Sequence, residues 1–157
     1  MGGATAAPLF ASGAGGEPTL ALVRGAATLS LPLDESQVDR LMDYLALIQK
    51  WNQVYNLTAL RDPADMLTHH LLDSLSLLPP LLRHTAGEAT ALLDVGSGGG
   101  LPGAVLAICQ PELKVTCVDA VAKKTAFVQQ VAAALTLPNL SSVHSRIAKF
   151  CRIMSPI

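Results

Sequence analysis

Hydrophobic positions along this chain follow two different periods. Val38, Leu41, Met42, Leu45, Ile48 and Trp51 recur at the three-and-four spacing of one helix face. Asp34 precedes them as a cap and Gln37 takes the third helical position, so a helix is expected from Asp34 to its close over Trp51–Asn56. Arg61-Asp62-Pro63 starts a second helix, with Asp62 capping and Pro63 at the first helical position. That helix carries Met66, His70, Leu71, Asp73, Ser74 and Leu75, and Pro79-Pro80 ends or kinks it before a final turn over Leu81–His84. From Ala91 the pattern changes. Ala91–Val95 reads as a strand, Leu101–Cys109 as a helix, and Pro111 as a break. Lys114–Asp119 is a second strand with β-branched Val115, Thr116 and Val118, and Ala122–Leu137 is a helix with Phe127, Val131 and Leu135 on one face. Leu140–His144 is a weaker third strand. A βαβαβ succession predicts an α/β fold with three parallel strands and crossover helices.

The order of these elements divides the chain. Residues 1–31 are rich in Gly, Ala, Thr and Ser and nearly uncharged, which predicts a disordered or loosely attached arm with a short helical stretch near Leu20–Ala27. Residues 32–88 form a helical extension and residues 89–157 the α/β unit. With 157 residues, half of them hydrophobic and 15% charged, the chain can bury a core. A net charge of −1 gives no overall basic footprint, so any nucleic-acid contact has to come from a local patch. Cys109, Cys117 and Cys151 are scattered and odd in number, which fits a reducing cytoplasm rather than a disulfide framework. The four histidines share no zinc-type spacing with them, so no metal site is expected. No apolar run reaches the roughly 18 residues of a membrane span, and the first residues lack the basic start of a secretory signal. A cytoplasmic location without a membrane partner is expected.

The densest chemical signal is Asp94-Val95-Gly96-Ser97-Gly98-Gly99-Gly100, set between the first strand and its helix. A dinucleotide fingerprint would place a third glycine where Leu101 stands. The spacing is instead Gly96, Gly98, Gly100, with carboxylates at the ends of both strands, Asp94 and Asp119. A tight turn flanked by acids suits a ligand whose ribose and amino groups need carboxylates. S-adenosylmethionine is favoured over a nicotinamide dinucleotide, and the plainer alternative is that the glycines only let strand and helix pack closely. His69 and His70 lie four and three residues before Asp73, so either pair can touch on a helix. An anchoring hydrogen bond is favoured there over a site-lining role. Lys123, Lys124 and Arg146 are surface cations by default and the candidates for RNA contact; Lys123 and Lys124 begin a helix just after Asp119, near the cofactor rim, and could meet a phosphate backbone there. Trp51 and Tyr55 belong to the core or to a domain junction, and Cys109 and Cys117 read as inert packing residues.

Four motifs together resemble one family. Trp51-Asn52-x-x-Tyr55-Asn56-Leu57-Thr58, Arg61-Asp62-Pro63, His70-x-x-Asp73-Ser74 and Asp94-Val95-Gly96-Ser97-Gly98-x-Gly100-Leu101-Pro102-Gly103 look like the RsmG (GidB) family, in the right order and spacing from about Leu33 to Phe150. The resemblance implies a Rossmann-like class I methyltransferase fold with a helical N-terminal extension. It implies methyl transfer from S-adenosylmethionine to N7 of a guanine in 16S ribosomal RNA of the small subunit. Its cofactor contacts would fall on Gly96, on Leu101, on Asp119 for the ribose, and on Ile147-Ala148 beside the adenine. Guanine N7 carries a lone pair and no proton, so no catalytic acid or base is expected and placement does the work. Two departures stand out. Ala148 occupies a position that is usually acidic in the family, and Cys151-Arg152-Ile153-Met154-Ser155-Pro156-Ile157 matches nothing in it. The tail reads as a frameshift or premature end, which predicts an incomplete sheet, an exposed first strand, and either a weakened enzyme or an inactive fragment with a partial cofactor pocket.

Overall fold

The computed structural model describes residues 16–154, the last four as backbone only. Residues 1–15 of the expected loose arm and residues 155–157 of the divergent tail lie outside the described residues. From Gly16 on, the short helical stretch expected near Leu20–Ala27 is part of a longer helix that packs on the protein. Gly16–Thr28 is a helix, α1, and its Leu22 and Ala26 are completely buried. Sparse charge reads as disorder in isolation, but the small residues of α1 let it lie close against the extension. A Cβ on Gly25 would stand 2.6 Å from the Leu72 side chain.

Helix α2, Glu35–Tyr55, is capped as the sequence predicts. Asp34 Oδ1 accepts the Gln37 N–H at 2.8 Å, and Gln37 Oε1 accepts the Asp34 N–H at 2.9 Å. Such reciprocal capping is worth about 1 kcal/mol. Its apolar stripe is buried, including Val38, Leu41, Leu45 and Ile48. Asn56 ends α2 in the left-handed region at φ 49°.

The second predicted helix is broken into pieces. α3 covers Pro63–Met66, a π-helical stretch runs over Leu67–Leu72, and α4 covers Asp73–Leu75. α5, Leu78–Thr85, then follows. Pro79 and Pro80 lie in its first turn, where their missing N–H groups cost nothing, so they begin a helix rather than end one.

Strands β1 (Thr90–Val95), β2 (Leu113–Asp119) and β3 (Leu140–His144) form one parallel sheet in the order β1-β2-β3. Helix α6, Gly103–Cys109, links the first two strands, and α7, Ala122–Ala134, links the second pair. α7 stops earlier than the periodicity predicts because Thr136 turns left-handed at φ 53°. Both helices pack on one face of the sheet, over Leu113, Val115 and Cys117, and α2 packs on the two helices. A further helix, α8 (Ile147–Met154), follows β3 and was not anticipated. Among the described residues β1 has a neighbour on one side only.

Candidate functional site

The glycine turn sits where β1 meets α6, at the carboxyl ends of the strands. In open α/β sheets this is where ligands bind. Its backbone hydrogen bonds decide what kind of ligand it suits. Gly96 N–H donates to Val118 O at 2.7 Å, and Ser97 N–H to the same oxygen at 3.3 Å. Gly98 N–H donates to Asp119 Oδ2 at 2.9 Å. Gly100 and Leu101 N–H both donate to Ser97 O, at 2.9 and 3.0 Å. Five donors of the turn are therefore engaged by protein acceptors. A pyrophosphate needs such donors free, so this turn suits a ligand recognised by shape and by carboxylates. The opening for it is bare backbone: a Cβ built on Gly96 or Gly98 meets nothing within 4 Å. Gly98 also has φ +55°, which L side chains rarely adopt.

Asp119 stands at the end of β2 and is held from two sides. Besides Gly98, the Val121 N–H donates to its Oδ1 at 2.8 Å. Each oxygen of a carboxylate has more than one acceptor direction, so both can still accept from a ligand hydroxyl. The next strand is tied to the same place. Ser145 N–H donates to Asp119 O at 3.0 Å, and the His144 ring nitrogen lies 3.0 Å from Ala120 O. These contacts bring Ile147 and Ala148, both exposed in the first turn of α8, to the Asp119 side of the sheet.

Asp94 is directed differently from Asp119. Its Oδ2 accepts the Gly103 N–H at 2.8 Å, fastening β1 to the start of α6. Desolvation raises its carboxyl above the usual range, the Gly103 N–H opposes that, and the nearby Asp119 charge adds to the rise. Gly103 is a residue that sequence reasoning left in the motif without a role. A Cβ there would stand 2.7 Å from Cys117 Sγ and 2.8 Å from Asp94 Oδ2. Tyr44 was also missed. It is wholly buried on α2, and its hydroxyl donates to Gly99 O at 2.7 Å. Burial, then the neighbouring Cys117 and Asp94, push its phenol well above the ordinary range, so it remains a donor.

The other sequence candidates fall out as follows. Trp51 packs edge-on against Phe127 of α7 with ring centroids 5.3 Å apart, so it does mark the junction between extension and sheet unit. Tyr55 stacks beside it at 5.2 Å and is 41% exposed. His70 does not pair with Asp73. Its Nε2 lies 3.0 Å from Thr58 Oγ1, and burial holds the ring below the usual imidazole range. His69 and Asp73 form an exposed contact at 3.8 Å. Thr58 itself is held by buried Asn52, whose Oδ1 accepts the Thr58 N–H at 2.9 Å. Arg61 completes this knot by donating to Asn52 O and Asn56 Oδ1. The anchoring is therefore to the loop after α2. Lys123 is exposed and Lys124 half-buried in the first turn of α7. Arg146, with Lys149 and Phe150, lines a depression beside Ala120. Cys109 and Cys117 are buried and their thiols are pushed up to about 12, chiefly by desolvation. Among the described residues no group of three His, Cys, Asp or Glu side chains could hold a metal ion. Among them, too, no helix is long and apolar enough to cross a membrane.

Three parallel strands, a glycine turn at their carboxyl edge, an acid ending the second strand and helices in front define a Rossmann-like fold of the methyltransferase class. The family model for GidB, rRNA small subunit methyltransferase G, matches residues 37–155, and the chain belongs to that family. It is 61% identical over 135 residues to a ribosomal RNA small subunit methyltransferase G of Acidovorax sp. (strain JS42), covering 81% of this chain and 60% of the relative. Its counterpart in Polaromonas sp. (strain JS666 / ATCC BAA-500) is 61% identical over 137 residues, covering 85% of this chain and 60% of the relative. That of Leptothrix cholodnii (strain ATCC 51168 / LMG 8142 / SP-6) is 55% identical over 126 residues, with 80% and 58% covered. The chain spans about 60% of the length of these curated relatives.

Proposed function

We propose that the turn, Asp119 and the start of α8 hold S-adenosylmethionine, and that the protein methylates N7 of a guanine in 16S ribosomal RNA of the 30S subunit in the cytoplasm. One observation carries the cofactor choice: Asp119 is fixed at the strand ends by Gly98 and Val121 while five of the turn's N–H groups are engaged. The relatives' name, ribosomal RNA small subunit methyltransferase G, supports the substrate class. In this reading Asp119 accepts from the ribose hydroxyls. Gly96 and Gly98 leave room for the ligand at the turn, and Leu101 packs at its edge. Ile147 and Ala148 flank the adenine, and Asp94 supports the turn through Gly103. Lys123, Lys124 and Arg146 are the candidate contacts to RNA phosphates.

S-adenosylmethionine supplies a methyl group on a sulfonium centre, ready for a nucleophile. Guanine N7 offers an in-plane lone pair, so no residue of this chain is assigned a proton to remove. The chain's task is to hold the reacting centres in line and near attack distance. A second reading is cofactor binding without methyl transfer. It is favoured by the open face of the sheet, where Leu93 and Val95 are 45% and 43% exposed. Incubating the chain with labelled S-adenosylmethionine and 30S subunits lacking the modification separates the two. Incorporation at a guanine N7 supports the enzyme. No incorporation beside a working full-length relative, with cofactor still bound, selects the second reading.

A further inference from the structure

We infer that Tyr44 is a positioning residue that sets cofactor affinity by pinning the glycine turn from the helical extension. The proposal rests on the cofactor site described above and goes beyond it, because Tyr44 lies on α2 and makes no use of the ligand itself.

The turn is built from residues that hold their own shape poorly. Gly98 and Gly100 sit at φ +55° and +92°, and a run of glycines has more conformational freedom to lose than any other sequence. Hydrogen bonds from Gly100 and Leu101 to Ser97 O close the turn from within. The Gly99 peptide lies between these, and its carbonyl is taken by Tyr44 Oη at 2.7 Å, from a residue 55 positions earlier. If that carbonyl rotated, the Gly100 N–H on the same planar peptide would rotate away from Ser97 O. Tyr44 therefore fixes the direction of the peptide that closes the turn, and through it the place of Gly98 against Asp119.

The hydroxyl is itself immobilised. The Tyr44 ring is fully buried, with its centroid 6.4 Å from that of Phe127. Phe127 would also lie 3.8 Å from a Cβ on Gly99, so ring and hydroxyl approach the turn from one side. Trp51, two turns further along α2, packs on Phe127 as well. The extension thus grips α7 and the turn as a unit.

The test compares Tyr44→Phe with Leu45→Val in the whole chain. Leu45 is buried in the same helix but faces the groove with α1, away from the turn. Tyr44→Phe keeps the ring and removes only the donor. Two readouts are needed. Without ligand, amide hydrogen exchange at Gly98, Gly100 and Leu101 should quicken in Tyr44→Phe and not in Leu45→Val. With S-adenosylhomocysteine in a calorimeter, Tyr44→Phe should bind roughly three- to tenfold more weakly than the parent, the range that a single hydrogen bond spans. Leu45→Val, though less stable, should bind as the parent does. Equal exchange at the three amides, or equal binding by parent and Tyr44→Phe, overturns the positioning role. If quickened exchange accompanies a parent that binds no S-adenosylhomocysteine, the turn is pinned as stated but serves no such cofactor, and the affinity claim falls with the cofactor reading.

Discussion

The two faces of the sheet are unequal in a way that explains the turn. On one face Leu113, Val115 and Cys117 are almost completely buried beneath α6 and α7, on which α2 packs. On the other, Leu93 and Val95 of β1 are 45% and 43% exposed, although Val118 beside Val95 on β2 is buried, and β1 has a partner on only one side among the described residues. Parallel sheets are usually covered on both faces. Yet the side chains that shape the turn from the sheet and its helices come from the covered face: Asp94 and Cys117 against Gly103, Phe127 beside Gly99, and Tyr44 on its carbonyl. A formed turn therefore needs only the covered face. Completing the molecule around a bound substrate is a separate matter, and the open face is where that difference would show.

Substitutions on the two faces should therefore differ sharply. The largest effect is expected from Gly103→Val, which drives a branched side chain into Cys117 and Asp94. Overpacking of this kind costs typically 1–3 kcal/mol, and a Cβ only 2.7 Å from buried Cys117 Sγ and 2.8 Å from the Asp94 carboxylate puts it near the upper end, about 3 kcal/mol by urea unfolding. A loss well below 1 kcal/mol would mean that α6 is not pressed onto the sheet as described.

A smaller effect should come from acid acting on the extension. Burial lowers the His70 pKa from its ordinary 6.5, so the folded protein prefers the neutral ring bonded to Thr58. The unfolded chain then binds the proton more readily. Stability from this group is complete above pH 6.5 and drains as pH falls below it, through the folded value. His70→Gln should flatten that part of the curve of stability against pH. An unchanged acid limb would remove His70 from the account.

The smallest effect belongs to the open face. Leu93→Thr should alter stability by about 0.5 kcal/mol or less, as exposed positions usually do. It should also reduce self-association in sedimentation, because an exposed apolar edge strand is a template for unwanted pairing. A loss as large as that from Gly103→Val would show that both faces are equally buried in solution.

Much of this comparison was legible in the residues and part was not. The helix face of α2, its Asp34–Gln37 cap and all three strands follow from local periodicity and capping, which are properties of neighbouring residues. Asp119 stands out in the sequence because it closes a strand after the glycine turn, and in the structure its carboxylate takes the Gly98 N–H of that turn; its part in holding a ribose stays a proposal. The docking of α1 was not legible. Its small residues look featureless until Leu72 lies against Gly25. Asp94 looked like a ligand contact from its position, but its partner on α6 could only be seen once Gly103 was in place. Tyr44 falls on the predicted apolar stripe three residues after Leu41, yet nothing nearby in sequence reveals that its hydroxyl reaches Gly99. Helical spacing leaves His69 and His70 as alternative partners of Asp73; His69 is the one that meets it, while His70 turns to Thr58, which approaches from a loop. The broken helix after Pro63 defeated the same rule, since a π-helical stretch shifts which side chains align.

The central claim is that the turn and Asp119 receive a nucleoside-type methyl donor rather than a dinucleotide. Calorimetric titration of the chain, and of its Asp119→Ala variant, with S-adenosylhomocysteine and with NAD tests it most directly. The account predicts one S-adenosylhomocysteine per chain, binding lost in the variant, and little or no heat from NAD. Tighter binding of NAD, or S-adenosylhomocysteine binding untouched by Asp119→Ala, would contradict it.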